Sequence, residues 1–161
     1  MIPVIAIFAA YYLPGTLSFM DPFVYSPYTC LLLGMVLAYF PFGVVVVLKT
    51  MKGGNALNNV SPRKATAQLG ATNPMAARCM AAHNNMLEGY GFFAASVLAA
   101  LQAGVAPAVV SQFATFWVFA RCAFVVIYIL QSNNAFASLR SLTFVAALVT
   151  QSKLFFLAAG K

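Results

Sequence analysis

Long apolar runs separated by short polar breaks dominate the chain. Residues 28–48 form the first uninterrupted run, and Lys49 and Lys52 end it. About 20 residues at 1.5 Å rise cross the ~30 Å hydrocarbon core, so this run predicts a membrane-spanning helix. Pro41 lies inside it, where neighbouring helices can absorb the freed carbonyl. Residues 53–73, rich in Asn, Ser, Gly and Pro, read as a polar connection. Asn73-Pro74 then places a capping side chain before a proline at the first helical position, and the second helix is expected over 74–102. Residues 104–107 make an uncharged turn. A third helix is expected over 108–130, a turn over 131–134, and a fourth helix over 138–157. Short turns after the second helix make these neighbours antiparallel.

The predicted fold class is therefore an all-α integral membrane protein, a four-transmembrane-helix bundle over residues 28–158. Residues 1–27 precede it as an apolar extension. Pro3, Pro14 and Gly15 interrupt its first 20 residues, which lack a basic start and a small-x-small cleavage site. They read as an interfacial or partly inserted segment rather than a secretory signal.

Composition agrees. The chain is 63% hydrophobic and 7% charged, with mean hydropathy +0.89; a soluble domain carries about 25% charged residues. Continuous rather than alternating apolar segments argue against a β-barrel. The net charge of +7 does not point to nucleic acid. Lys49, Lys52, Arg63 and Lys64 cluster around one polar loop, which marks the inside face and suits contact with anionic lipid head groups. Cys30, Cys79 and Cys122 are odd in number, form no CxxC, and read as small buried apolar residues rather than a disulfide framework.

Against this background, two charges stand out. Glu88 and Arg121 lie inside apolar runs, and the chain has only two acidic residues, Asp21 and Glu88. Charge inside a membrane marks a functional site by default. Glu88 is ten residues past Arg78 at the loop-side start of helix two, and Arg121 is ten residues before Gln131, which follows helix three. Both lie about 15 Å deep, so an ion pair between them is expected. Such a pair could equally fix helix register without chemistry. Arg78, Ala81, Asn85 and Glu88 share one helical face, as do Arg121, Phe124 and Tyr128. With Arg140 at the start of helix four, they outline a polar track from the inside surface. His83 points away from that face and is expected at a lipid-facing or interface position, and with no other ligand type on its face it makes no metal site. The chain has no phosphate loop, no Ser-His-Asp set and no paired carboxylates. An anionic cosubstrate held by arginines is the enzyme chemistry these residues suit best.

Arg78-Cys-Met-Ala-Ala-His83-Asn-Asn85-Met-Leu-Glu88 closely resembles the second-helix signature of the MAPEG family, the membrane-associated proteins of eicosanoid and glutathione metabolism. Arg121-Cys-Ala-Phe124-Val-Val-Ile-Tyr128 resembles the third-helix motif, and Leu139-Arg140-Ser141 the start of helix four. The resemblance covers residues 28–158 and implies a homotrimer with glutathione bound between protomers near the cytosolic side. It implies a catalytic Arg140 that stabilises the thiolate, and cosubstrate-binding roles for Arg78, Asn85, Glu88, Arg121 and Tyr128. An arginine beside a thiol lowers its pKa, and the thiolate is the nucleophile.

The chain departs from the catalytic pattern at Ala81, where an arginine would grip the carboxylates of glutathione, and at Phe124 and Phe144, which lack tyrosine hydroxyls. Helix one also ends in lysines rather than arginine. Two functions follow as expectations. One is a glutathione-dependent transferase or peroxidase acting on lipophilic electrophiles or lipid hydroperoxides, without a metal. The other is a non-catalytic accessory subunit of a hetero-oligomeric membrane complex. A small transporter or channel would fit the midplane charges alone. In each case the chain is a multi-pass protein of an endomembrane or organelle membrane.

Overall fold

The structure, a computed structural model, describes residues 23–131 and 133–161. The expected segment 1–20 lies outside the described residues. Among the described residues, all regular structure is helical.

Helix α1 spans Pro27–Lys52. The Ser26 hydroxyl accepts from the Thr29 amide at 3.1 Å, and Pro27 takes the first position, where a missing N–H costs nothing. Lys49 and Lys52 occupy the last turn, at the negative end of the helix dipole, and Gly53 closes it.

A single turn of tighter helix, Gly54–Leu57, leads into α2, Pro62–Thr72. Here the structure differs from the polar connection expected over 53–73. The difference rests on one pair: Ala65 and Leu69, four apart, are buried, while Arg63, Lys64 and Gln68 are exposed. Three helical turns are too short to show a clear period in the sequence.

Helix α3 spans Pro74–Gln102, α4 Pro107–Leu130 and α5 Asn134–Ala159. The Asn73 side chain accepts from the amides of Met75 and Ala76. Asn133 does the same for Phe136, so α5 starts four residues before the expected 138.

The four long helices form one bundle in which α4 packs on α5, and α3 contacts α1, α4 and α5. By length and composition, α1, α4 and α5 are each apolar enough to cross a membrane. Helix α3 is the longest and the most polar of the four in its first half, and Ala76, Cys79, Ala82, His83 and Met86 of that half are buried.

The centre of the bundle is aromatic. Phe93 of α3 stacks on Trp117 of α4, ring centroids 3.8 Å apart and planes 3° from parallel. Trp117 Nε1 donates to Gln151 Oε1 of α5 at 3.3 Å, which satisfies the indole in an otherwise apolar layer. Gly34 lets α1 approach this layer: a Cβ there would lie 3.0 Å from the Tyr90 ring and 3.2 Å from Trp117. The Tyr90 hydroxyl donates to the Leu31 carbonyl at 3.1 Å, fastening α3 to α1.

Of the three cysteines expected to be buried, Cys30 and Cys79 are, and Cys122 is exposed. Cys122 shares the outer face of α4 with Phe119 and Val126, at spacings of three and four residues.

Candidate functional site

Helices α3, α4 and α5 converge on Arg121. Its side chain is only 2% exposed. Gly89 makes the room: a Cβ at that position would collide with the terminal guanidinium nitrogen. Nη1 donates to Asn85 Oδ1 at 2.9 Å. The guanidinium carbon lies 5.5 Å from the Trp117 ring centroid, 5.2 Å from Phe124 and 5.1 Å from Phe144, within cation–π range of all three. Nε is buried with no hydrogen-bond partner.

This arrangement corrects the expected Glu88–Arg121 ion pair. Among the described residues the two form none, and Glu88 is exposed. The reason is azimuth. Arg121 lies over Gly89, and Asn85 is one turn back on the same side of α3. Glu88 is turned about 100° away. The depth agrees closely with the expectation, since Asn85 sits three residues, about 4.5 Å, from the expected contact.

Two small cavities flank Phe144. One, of about 220 Å³, is lined by Asn85, Glu88, Gly89, Arg121 and Gln151 among others. Its neighbour, of about 250 Å³, is lined by Asn85, Phe124, Tyr128, Arg140, Ser141 and Phe144. Asn85 and Phe144 belong to both. Arg140 holds its guanidinium carbon 4.5 Å from the Tyr128 ring centroid and donates from Nη1 to Gln131 Oε1 at 2.9 Å. A cation is thus aimed over the second cavity on a braced, half-buried side chain.

Five of the six site residues expected from sequence therefore meet around these cavities: Asn85, Glu88, Arg121, Tyr128 and Arg140. Arg78 does not. Its Nε donates to the Ile129 carbonyl at 2.9 Å, so its head braces α3 against the end of α4. Gln151 and Ser141 complete the linings and were not expected as site residues. Gln151 carried a signal, because it lies eleven residues after Arg140, on the same face, as a polar residue in an apolar helix.

Of the two positions expected for His83, lipid-facing or interface, it takes the second, between α3 and α1. It is buried, with Nδ1 2.7 Å from the Ala38 carbonyl oxygen and its ring tilted against Tyr39 and Phe42. A carbonyl only accepts, so Nδ1 carries the proton. The imidazole thereby ties α3 to α1 within the turn that precedes Pro41. Among the described residues no group of three His, Cys, Asp or Glu is placed to hold a metal ion.

The MAPEG family model matches residues 26–160, which includes all four long helices and every residue of both cavities. The chain belongs to the MAPEG family. No curated protein and no solved structure matches it. As a MAPEG protein it is a multi-pass integral membrane protein of the family of glutathione and eicosanoid metabolism, and its surroundings are a lipid bilayer.

Proposed function

We propose that this MAPEG protein is a glutathione-dependent transferase or peroxidase acting on lipophilic electrophiles or lipid hydroperoxides. The observation that carries this reading is the convergence of Arg140, Tyr128, Asn85 and Arg121 on two adjoining cavities across three helices. The donor set suits glutathione. Arg140 offers donors to a thiolate or carboxylate, Asn85 offers an amide, and Glu88 is the one described acid available to an ammonium group. The unpartnered Nε of Arg121 is a buried donor beside the same space.

Glutathione, when bound, supplies the thiolate nucleophile. Arg140 holds positive charge beside the sulfur position and favours the ionised thiol. Tyr128 stacks on that guanidinium and limits its rotamers. Asn85 is positioned by its bond to Arg121, so one amide is pre-oriented toward the shared wall of the cavities. Phe144 and Phe124 keep the walls apolar, which suits a lipophilic second substrate. Each cavity is smaller than the roughly 300–1,000 Å³ of ordinary ligand sites. The reading therefore includes a homotrimer, in which a neighbouring protomer completes the site.

A second reading has its own support: Phe144 stands between the two cavities, and Asn85 already spends its acceptor on Arg121. A MAPEG chain so arranged would serve as an accessory subunit of a larger membrane complex. Calorimetric titration of glutathione into the detergent-solubilised protein separates the two. Saturable binding that disappears in Arg140→Ala supports the enzyme. No heat at millimolar glutathione rejects it and leaves the accessory subunit.

A further inference from the structure

A separate cavity of about 820 Å³ lies on another side of α3, between the inner half of α1, the short helix α2 and the first turns of α3. None of the residues lining it belongs to the site around Arg121. Lys49 and Arg63 stand in its wall, and no carboxylate does. Lys49 Nζ lies 3.4 Å from the Pro62 carbonyl oxygen, which holds this amino group at the start of α2. The Ser61 side chain makes no capping bond there, so the first amides of α2 keep donor capacity beside the two cations. The remaining lining is largely apolar, with Phe42 and Met80 in it. Phe42 is seven residues before Lys49, about 10 Å deeper in the membrane. The cavity thus reaches from the level of the basic loop down along the hydrocarbon, charged at its inner end and mainly apolar below, where His83 and Asn84 are its polar residues.

We propose that this cavity seats one acidic phospholipid of the bilayer. Its phosphate lies between Lys49 and Arg63 at the start of α2, and an acyl chain runs along Phe42 and Met80. Charge and depth both select this occupant. A zwitterionic lipid offers less net negative charge to two cations, and a free anion has no use for the apolar lower half. The short helix α2 then has a role that its own packing does not explain: it presents Arg63 and its N-terminal amides to the head group.

Native mass spectrometry of the detergent-solubilised protein titrated with phosphatidylglycerol or phosphatidylcholine tests this. Phosphatidylglycerol is expected to bind saturably and more tightly. The double variant Lys49→Gln, Arg63→Gln should weaken it about 30-fold, from two head-group cations. Lys64→Gln, on the same helix but outside the cavity, should leave it unchanged. Ala67→Phe, at an exposed lining position, should block the lipid while keeping both charges. Equal affinity for the two lipids overturns the proposal. So does a loss in Lys64→Gln equal to that in the double variant, which would indicate diffuse attraction. Displacement of the lipid by inorganic phosphate alone overturns the bilayer source. A change in oligomer mass in Ala67→Phe assigns the cavity to a second copy of the chain and also overturns it. None of these readouts involves glutathione, so this outcome and that of the proposed activity are separable.

Discussion

Arg121 of α4 donates to Asn85 of α3 at 2.9 Å across a gap that Gly89 leaves open. The bond places a guanidinium deep in the bundle with three aromatic rings around it and no carboxylate on it. Buried charge without a counter-ion costs stability, so a stabilising role is a poor account of Arg121.

The first prediction follows from the missing Cβ. Gly89→Ala should displace the Arg121 head, break its bond to Asn85 and cost about 1–3 kcal/mol. Thermal unfolding in detergent should show a clear fall in Tm. In Gly34→Ala the Tm should fall less, because the added Cβ would meet the Tyr90 and Trp117 rings at 3.0 and 3.2 Å rather than collide with a guanidinium.

Removal of the charge itself should act in the opposite sense. Arg121→Met keeps length and apolar volume, and stability should stay within about 1 kcal/mol of the parent or rise. Glutathione affinity should drop about tenfold or more, since a charge-assisted contact contributes about 1.5–3 kcal/mol. Unchanged affinity with a lower Tm would assign Arg121 to structure alone.

For Arg140, pH carries the information. A cation beside a thiol lowers the thiol pKa, so its removal raises it. Arg140→Ala should shift the rise of the rate with pH upward by about 1–3 units. Stopped-flow thiolate absorbance against pH measures this directly, and an unmoved profile would remove Arg140 from the chemistry.

Phe144 tests the competing reading. It stands between the two cavities, where Phe144→Tyr introduces a hydroxyl. One added hydrogen bond should raise glutathione affinity about two- to tenfold. No binding in either form by calorimetry would favour the accessory subunit.

The aromatic centre sets the stability of the bundle. Trp117→Ala should cost about 3–5 kcal/mol, through lost packing on Phe93 and a residual cavity. Trp117→Phe keeps the stack and forfeits the Gln151 bond, at about 1 kcal/mol. Chemical denaturation in mixed micelles would rank the two variants.

Much of this protein is legible in its sequence. Apolar run lengths determined the membrane class and the four long helices, because a helix must satisfy its backbone internally to cross lipid. Asn73-Pro74 marked the start of α3 because a side-chain oxygen and a fixed φ act locally. Depth arithmetic brought Arg121 to the Asn85–Glu88 stretch because helical rise is constant. The order of the Arg78–Glu88, Arg121–Tyr128 and Arg140–Ser141 segments pointed to the MAPEG family. Tertiary structure alone decided what depends on azimuth and on the distance between helix axes. Gly89 lets Arg121 approach on its own side of α3, so Asn85 becomes the partner and Glu88 is left to the cavity. His83 turns inward to the Ala38 carbonyl of α1, and Cys122 points out because Arg121 points in. Sequence spacing specifies position along a helix, whereas the facing surface is chosen by what the neighbouring helices leave room for.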